Sequence, residues 1–534
     1  MLATTPARAQ SSGEPSSIER TVPTVGTKEP ERTSTSVSVD PERAERARFD
    51  GTFVLGAVVI NGATVFTSKT LAADFEPLLA SAIGEQQLDE IVGRITRRYR
   101  AAGYLLSYAT LPAQDIKSGI VRIDVVEGFV ADVRFEGAGR ELAALRAIAS
   151  PLLADRPLRS NTLERVVGLL RDVPGAAVAE VRISRSVSAA GGHALTVVIA
   201  RDAERALLYA DNRGTIDGAR ARLYSSFSRA STLLPGDQLQ LNLFAIPGHG
   251  YRFLYGQALA SAPLGHEGLR LGGAISLGDQ RVGSGTDRSD GASRNLTAQI
   301  SYPFVKRRQL SVTGRIALND WRSIDRNDDA LFQRDHLRAA RLIVDGSHVA
   351  ASRIDAQLVL SQGIGFDKAT RKGDPLASRN DASGRFTKFN FDLQGTWPLS
   401  KSISMRASLT GQYSTRPLLS IEEYALGGNR IGRGYDFNAL TGDHGFGGAV
   451  ELGNRVGNIA HGPQQIELFV FGDGGAVFQS GRSGINRRQS LASIGAGGRF
   501  SVLGLAFTAE IGVPLVAVNG ARSARGFISV AKAF

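Results

Sequence analysis

Cysteine is absent from the 534 residues, and no apolar run is long enough to form a membrane-spanning helix. Without cysteine the chain has no disulfides and no thiolates for a structural zinc site. This composition is typical of proteins exported to an oxidising envelope compartment, because cytosolic proteins of this length usually carry a few cysteines. The missing apolar helix leaves a β-barrel open as a way to cross a bilayer, since only alternate residues of a barrel strand face lipid.

The sequence signatures of common enzyme classes are also missing. The seven histidines are dispersed without metal-ligand spacing. There is no complete G-x-S-x-G, P-loop or dinucleotide-binding glycine motif. We therefore predict no enzymatic activity, no catalytic residue, no cofactor and no metal site.

Basic residues outnumber acidic residues, but the two kinds are mixed along the chain. The formal net charge is +12, with a pI near 10.0. Lysines and arginines are scattered among acids, without a basic helix or a stripe of basic and aromatic residues. We predict that these charges lie in solvated loops and a polar lumen, and we do not expect nucleic acid as a partner.

The N-terminal segment, residues 1–48, is predicted to be a disordered linker because it is rich in Ser, Thr, Pro, Glu and Arg and poor in apolar residues. Ala7-Arg8-Ala9 has the form of a signal-peptidase site, but the charged and apolar regions that should precede it are missing. Either the start codon is assigned too late, which would hide an export signal, or the match is a coincidence in an Ala-rich tail.

Two consecutive α+β modules follow, at residues 50–128 and 129–202. The first begins with a strand, Phe53–Ile60, and continues with helical spacing from Leu71 to Ile83. A second helix has one apolar face, and two strands end at Val125-Val126-Glu127-Gly128. The apolar face consists of Leu88, Ile91, Ile95 and Tyr99. The second module repeats this order, with a strand at 130–135, helices near 141–153 and 162–170, and strands at 177–184 and 193–200.

Residues 203–534 contain almost no helical periodicity. Gln238 to Leu243 alternates apolar and polar residues with a period of two, and similar strands occur near Phe389 and Ile466. Gly, Asp, Asn and Ser clusters separate the strands, and some are long, such as Gly278–Asn295, which is predicted to be a loop. Four strand-like runs end in proline plus an apolar residue, and the chain ends in an alternating strand with terminal Phe534. The length allows about 16 antiparallel barrel strands.

Two glycine-rich segments in this region carry single charges. Gly427-Gly428-Asn429-Arg430-Ile431-Gly432-Arg433-Gly434-Tyr435-Asp436 suits a tight loop tip with one fixed positive charge. Phe469-Val470-Phe471-Gly472-Asp473-Gly474-Gly475 is an alternating strand with one acid among glycines. The arginine and the aspartate could meet at close range inside a closed structure.

Together these features resemble the two-partner secretion transporters of the ShlB/FhaC/HecB type, within the BamA superfamily of outer-membrane proteins. The resemblance covers nearly the whole chain. It implies tandem POTRA-like domains at 50–128 and 129–202, followed by an all-β transmembrane barrel at 203–534. Some members also have an N-terminal plug helix, for which residues 41–49 are the only short candidate here. An alternative reading of the two modules, as generic α+β domains, has no role for a client.

The resemblance also implies a site in the lumen. Gly428, Arg433, Gly434 and Tyr435 match the tip of a long loop that folds back into the barrel, and Phe471, Asp473 and Gly475 match the inner-wall motif that receives it. The implied contact is a bidentate pair between the Arg433 guanidinium and the Asp473 carboxylate. Where many relatives have a branched residue before the arginine, this chain has Gly432.

The function implied is export of an unfolded exoprotein of the haemagglutinin or haemolysin type across the outer membrane of a Gram-negative bacterium. The POTRA-like domains would face the periplasm and capture the client. Outer-membrane lipid and the barrel-assembly machinery are the other expected partners. Two alternatives remain open, namely a BamA-like insertase and a passive porin-type barrel. Cargo identity and the resting state of the pore are not encoded in any recognisable motif.

Overall fold

The computed structural model describes residues 37–39, 51–116, 118–186, 190–214, 220–248, 250–283, 288–366, 368–457, 464–481, 488–518 and 523–534. The signal-peptidase-like site, the plug-helix candidate and all but three residues of the 1–48 segment lie outside these ranges. Within them, no helix combines the length and apolarity needed to span a membrane.

The first α+β module is built around one amphipathic helix. Its elements are β2 (Phe53–Val54), β3 (Ala57–Asn61), α1 (Ser68–Ala72), a 3-10 turn (Glu76–Leu78), β4 (Ala82–Ile83), α2 (Glu85–Ala101), β5 (Tyr108–Thr110) and β6 (Ile120–Val126). Helix α2 buries Leu88, Ile91, Ile95 and Tyr99 completely, which confirms the predicted apolar face. The predicted helix from Leu71 to Ile83 is wrong in extent, because Pro77 lacks a backbone donor and the chain continues as a turn and a short strand.

The second module repeats the order and has its own apolar core. Its elements are β7 (Phe129–Glu136), α3 (Leu142–Ala154), α4 (Ser160–Arg171), β8 (Ala176–Arg185) and β9 (Gly192–Arg201). The strands form a sheet in the order β1-β8-β9-β7, in which β1 (Val37–Val39) pairs in parallel with β8. Three residues of the segment predicted to be disordered are therefore a strand. Leu145, Leu163 and Leu195 are among the buried residues between the helices and the sheet.

The remaining chain forms a closed antiparallel barrel of sixteen strands, as predicted. The barrel strands are β10 (Glu204–Asp211), β11 (Arg222–Ala230), β12 (Gln238–Ile246), β13 (Tyr251–Leu264), β14 (Leu269–Val282), β15 (Ser289–Lys306), β16 (Leu310–Asn327), β17 (Ala330–Val349), β18 (Arg353–Gly363), β19 (Thr387–Pro398), β20 (Ile403–Ser414), β23 (His444–Gly457), β24 (Gln464–Phe478), β25 (Arg488–Val502), β26 (Leu505–Pro514) and β27 (Arg525–Ala533). Between β20 and β23, β21 (Tyr424–Leu426) and β22 (Leu440–Gly442) form a separate hairpin. The barrel closes where β10 pairs with β27, from Leu207–Ala533 to Asp211–Ser529.

One predicted loop is strand instead. Most of Gly278–Asn295 belongs to β14 and β15, which pair continuously from Arg270–Ser301 to Val282–Ser289. The polar composition of this segment led to the wrong prediction. In the outer parts of β14 and β15, charged residues occupy even the face that carries leucines closer to the membrane centre. Backbone pairing, which does not depend on side-chain polarity, continues through it.

The periplasmic end of the barrel is identified by the second module, which packs against it. Arg165 on α4 donates to the carbonyl of Pro303 at 3.0 Å and to the hydroxyl of Tyr302 at 3.0 Å. Lys306 pairs with Asp172 just after α4. Since α4 contacts the turns after β13 and β15, those turns face the POTRA-like side, and the opposite ends of the strands face the exterior.

Candidate functional site

A long loop, residues 415–443, folds inward and lines the barrel lumen. We call it the lumen loop. Its residues Leu426, Asn429 and Arg433 line a cavity of about 1650 Å³ together with the inner wall. Arg353, Asp355 and residues near Ser501, at the periplasmic ends of their strands, line the same cavity, so it extends from the loop tip toward the periplasm.

Backbone hydrogen bonds to Asp473 fix the tip of the lumen loop on β24. The N–H groups of Gly432 and Arg433 donate to the two carboxylate oxygens of Asp473 at 2.9 and 3.1 Å. The Ser493 hydroxyl donates to the same carboxylate at 2.6 Å and accepts the N–H of Gly434 at 3.1 Å. Asp473 is 8% exposed, so this carboxylate receives three hydrogen bonds away from bulk water.

The prediction that the Arg433 guanidinium forms a bidentate pair with Asp473 is wrong, because the backbone N–H of Arg433 contacts Asp473 and the guanidinium does not. The guanidinium of Arg433 extends past Asp473 toward the periplasm and pairs with Glu451 at 2.8 Å and with Glu510. Its Cζ lies over the ring of Phe471, 3.7 Å from the centroid. The side chain is long enough to reach the level of the strands where Glu451 and Glu510 lie, while the Asp473 oxygens are already occupied by backbone donors.

The predicted glycines are sites of close backbone approach. Gly428 has φ +121°, which residues with a side chain rarely adopt. A Cβ on Gly434 would lie 3.0 Å from the Pro514 nitrogen, and one on Gly475 would lie 2.4 Å from the Phe446 carbonyl oxygen. Only glycine at these positions lets the loop tip lie directly against the wall.

Tyr435 anchors the far side of the tip. Its hydroxyl lies 2.8 Å from the Ala492 carbonyl and 2.7 Å from the Val516 carbonyl, and it accepts the Val516 N–H at 3.1 Å. The ring is 1% exposed within a small apolar cluster that includes Leu426, Ile431 and Leu440. Six of the seven predicted site residues therefore lie at the contact between the lumen loop and the wall, whereas a Cβ on Gly428 would meet Phe437 of the loop itself.

The tip also reaches the closing seam of the barrel, through residues that the sequence analysis did not select. Arg213, just after β10, donates to the Arg433 carbonyl at 3.4 Å, pairs with Glu510 and stacks on Phe527 at 3.7 Å. Next to it, the Asn212 side chain donates to the Gly526 carbonyl at 3.2 Å and accepts the Ile528 N–H at 2.9 Å. The polar run Asp211-Asn212-Arg213-Gly214 is the only signal in the sequence that could have indicated this segment.

A second loop holds the base of the lumen loop. Residues 364–366 and 368–386, which we call the cap loop, carry Arg379, whose side chain is 0% exposed. Arg379 pairs with Asp443 at 2.7 Å and with Glu423 at 2.6 Å, both in the lumen loop. An apolar cluster joins the two loops to the wall: Trp321, Leu337 and Ala339 from the strands, Ala382 and Phe386 from the cap loop, and Leu418, Leu419 and Ile421 from the lumen loop. The loops thus pack together at the outer end of the lumen.

Comparison with known proteins agrees with this architecture. A model of the haemolysin secretion/activation protein ShlB/FhaC/HecB family matches residues 198–500, and a ShlB-type POTRA domain model matches residues 53–128. The chain is 22% identical over 488 residues to the heme/hemopexin transporter protein HuxB of Haemophilus influenzae, covering 89% of this chain and 85% of that protein. It is 21% identical over 432 residues to the outer membrane transporter CdiB of Dickeya dadantii, covering 76% and 73%.

The fold is that of a solved relative. The structure of CdiB from Escherichia coli superposes with a TM-score of 0.77 at 18% identity, covering 100% of both chains. The family model for ShlB/FhaC/HecB spans more than half of the chain. The chain therefore belongs to the ShlB/FhaC/HecB family of two-partner secretion transporters, outer-membrane β-barrels of the BamA superfamily with POTRA domains.

Proposed function

We propose that this transporter exports one unfolded partner protein through the barrel, and that the lumen loop closes the path at rest. The observation that carries the proposal is a polar cavity beneath a loop whose Arg433 tip is fixed to the wall by hydrogen bonds and ion pairs. Such contacts can be exchanged for contacts with a passing chain. The relatives named above, HuxB and CdiB, are named as transporters, and the cargo of this chain is proposed to be a haemagglutinin- or haemolysin-like exoprotein.

The lumen wall suits a chain of mixed sequence. Arg315, Arg341 and Arg406 line the cavity opposite acids of the same wall. The acids include Asp345, Asp392, Glu451 and Glu467. A lumen with both signs offers hydrogen bonds to any extended peptide without trapping one charge type.

We further propose that residues 50–128 and 129–202 act as two periplasmic capture modules and residues 203–534 as the pore. Strand β7 ends the second sheet, and its outer side pairs with no strand in the described part of the chain. In the first module Val59 and Ile120 are 46% and 49% exposed on neighbouring strands. An open strand edge and exposed apolar side chains are what binding of an extended client by β-augmentation requires.

The first prediction concerns Arg433→Ala, tested by co-expression with the large exoprotein encoded nearest this gene. We expect exoprotein in the medium to fall about tenfold or more, because breaking a buried ion pair costs about 3 kcal/mol or more and leaves Glu451 and Glu510 without that cation. The measurement is secreted exoprotein relative to barrel that keeps its heat-modifiable mobility. Arg416→Ala, at an exposed position of the same loop, is the matched control.

Two results would contradict the proposal. Normal export by the Arg433→Ala variant would show that the Arg433 contacts at the tip of the lumen loop are not needed for export. Unchanged exoprotein with altered amounts of other outer-membrane barrels would favour the insertase alternative instead. Deleting residues 50–202 distinguishes the transporter from the porin alternative. A porin should keep its conductance without these modules, whereas a transporter should no longer export the exoprotein.

A further inference from the structure

The outer wall of the barrel carries an arginine patch at the external edge of its apolar surface. On β13, β14 and β16 the outward-facing residues Leu254, Leu277 and Leu318 are 52%, 55% and 54% exposed. Two residues further toward the exterior, the same face carries Arg252, Asp279 and Asp320. Because side chains alternate along a strand, these charged residues face outward like the leucines and not into the lumen.

Two pairs of arginines lie directly opposite each other on this surface. Arg252 on β13 is the cross-strand partner of Arg281 on β14, and Arg294 on β15 is the partner of Arg322 on β16. Like charges in directly opposed positions repel and destabilise a sheet unless a counter-charge lies between them. The two pairs are four residues apart along β14 and β15, about 13 Å, because Arg281 lies opposite Asp290 and Arg294 lies opposite Leu277. An anion bound between them would supply the missing counter-charge.

Acids of the wall neutralise only part of this charge. Asp279 pairs with Arg252 at 3.0 Å, and Asp290 pairs with Arg281 at 2.9 Å. Asp320 is shared between Arg322 at 3.2 Å and Arg338 at 2.7 Å. Among the residues that the structure describes, Arg294 has no acidic partner. The five arginines share three aspartates, and one of these, Asp290, also pairs with Arg288 at 2.5 Å. Arg294 lies on β15, the strand between those that carry the acid-paired Arg281 and Arg322.

Apolar side chains continue directly below the unpaired arginine. Leu296, two residues from Arg294 on the same outward face, is 39% exposed, and Ile300 further along is 38% exposed. Leu277 lies opposite Arg294 on β14. A molecule with an anionic head and hydrocarbon tails would thus meet arginines and leucines in the order that a lipid presents them.

We propose that this patch, formed by Arg252, Arg281, Arg294, Arg322 and Arg338, binds the phosphate groups of a glycolipid in the outer leaflet of the outer membrane. The second module contacts the opposite ends of these strands, so the patch lies at the external leaflet. Arginine matches phosphate through paired N–H donors. The acyl chains lie along Leu277, Leu296 and Ile300.

The test uses the full-length chain purified in detergent and native mass spectrometry with bisphosphorylated lipid A. We expect Arg294→Gln to weaken binding about fivefold, and Arg294→Gln with Arg322→Gln about 25-fold, since each basic group at an anionic surface contributes about 1 kcal/mol. Monophosphorylated lipid A should bind less tightly, and phosphatidylethanolamine should not compete. Heat-modifiable mobility shows that each variant is folded.

The matched control is Arg229→Gln, which removes an outward-facing exposed arginine at the periplasmic end of β11, where it pairs with Glu204 at 3.4 Å. Its binding should equal that of the unchanged chain. Equal loss in this control, or unchanged binding in the double variant, would overturn the site. Inorganic pyrophosphate that binds as tightly as lipid A would overturn the assignment to a lipid, because the apolar surface would then contribute nothing. The single variant keeps the test valid if the double variant fails to fold.

Discussion

Glu127, the acid that ends the last strand of the first module, holds three segments of that module together. Its carboxylate accepts the N–H groups of Thr64 at 2.7 Å and Val65 at 2.9 Å, and the hydroxyl of Tyr99 at 2.8 Å. Burial by itself raises the pKa of Glu127, but the hydrogen bonds from Thr64, Val65 and Tyr99 outweigh it and hold the pKa below its ordinary value of 4.5. The charged form is therefore the one that the fold stabilises.

The pH dependence of the first module follows from this shift. A carboxylate whose pKa is lowered by folding stabilises the folded state above its unfolded value of about 4.5 and loses that stabilisation as the pH falls through the folded value. We expect the protection of the Thr64 and Val65 amides from hydrogen exchange to fall below pH 4.5, by at most about tenfold per pH unit for one proton. Glu127→Gln should have lower protection at pH 7 and no such dependence. If amide protection varied with pH in the same way in the unchanged chain and in Glu127→Gln, Glu127 would not be the group responsible.

The contact at the loop tip shows what sequence motifs can and cannot predict about single residues. The motifs selected Gly428, Arg433, Gly434, Tyr435, Phe471, Asp473 and Gly475, and all but Gly428, which packs within the loop, lie at the contact. They did not reveal that Arg433 pairs with Glu451 and Glu510. These acids come from β23 and β26, and their approach depends on strand register and on the stagger of the closed barrel, which no local pattern encodes.

At the scale of elements, periodicity predicted the parts whose two faces differ. Helix α2 and the strands of the second module fall within a few residues of their predicted bounds, because one face of each packs on a core. Periodicity did not predict strands whose two faces are both polar, as in the outer halves of β14 and β15. It also gave no sign of Arg379, since a lone arginine in a polar loop has no local feature that shows it will be buried.

The cap loop is bound to the barrel wall on one side and, through Arg379, to the lumen loop on the other. On one side its backbone pairs with the part of β17 that extends beyond β18, with Ile364 N–H donating to Arg338 O at 2.8 Å and Thr370 N–H to His336 O at 3.0 Å. On the other side Arg379 reaches the base of the lumen loop. The cap loop therefore connects the fixed wall to the loop that we propose moves during export.

Replacing Arg379 should release this connection. In Arg379→Ala, Glu423 and Asp443 lose their shared cation, and removal of one partner from a buried ion pair costs about 3–5 kcal/mol. We expect hydrogen exchange in residues 415–426 to accelerate about 100-fold or more, within the range that this cost allows. Arg385→Ala removes an exposed arginine from the same loop and should leave exchange unchanged. Equal protection in both variants would show that the apolar cluster alone holds the loops.

For the whole molecule, the question is where the excess positive charge lies. The chain carries a net charge of +12, yet the cavity wall combines arginines with acids. Several ion pairs neutralise the lumen locally, including Arg315–Asp345 at 2.9 Å and Arg406–Glu467 at 2.7 Å. Some of the excess is on the external surface instead, in the arginine patch described above. Net charge computed from the sequence therefore does not describe the path that a client would follow.

Opening the lumen should reveal this neutral interior directly. The hairpin strands β21 and β22 pair from Tyr424–Gly442 to Leu426–Leu440, so residues 427–439 can be replaced by a short Gly-Ser turn without separating the hairpin. We expect this variant to conduct more than the unchanged chain in planar bilayers, because the tip no longer occupies the lumen. In a KCl gradient its reversal potential should lie near zero, since mixed charges on the wall favour neither ion. A strong preference for chloride would instead show that the net charge of the chain governs the lumen.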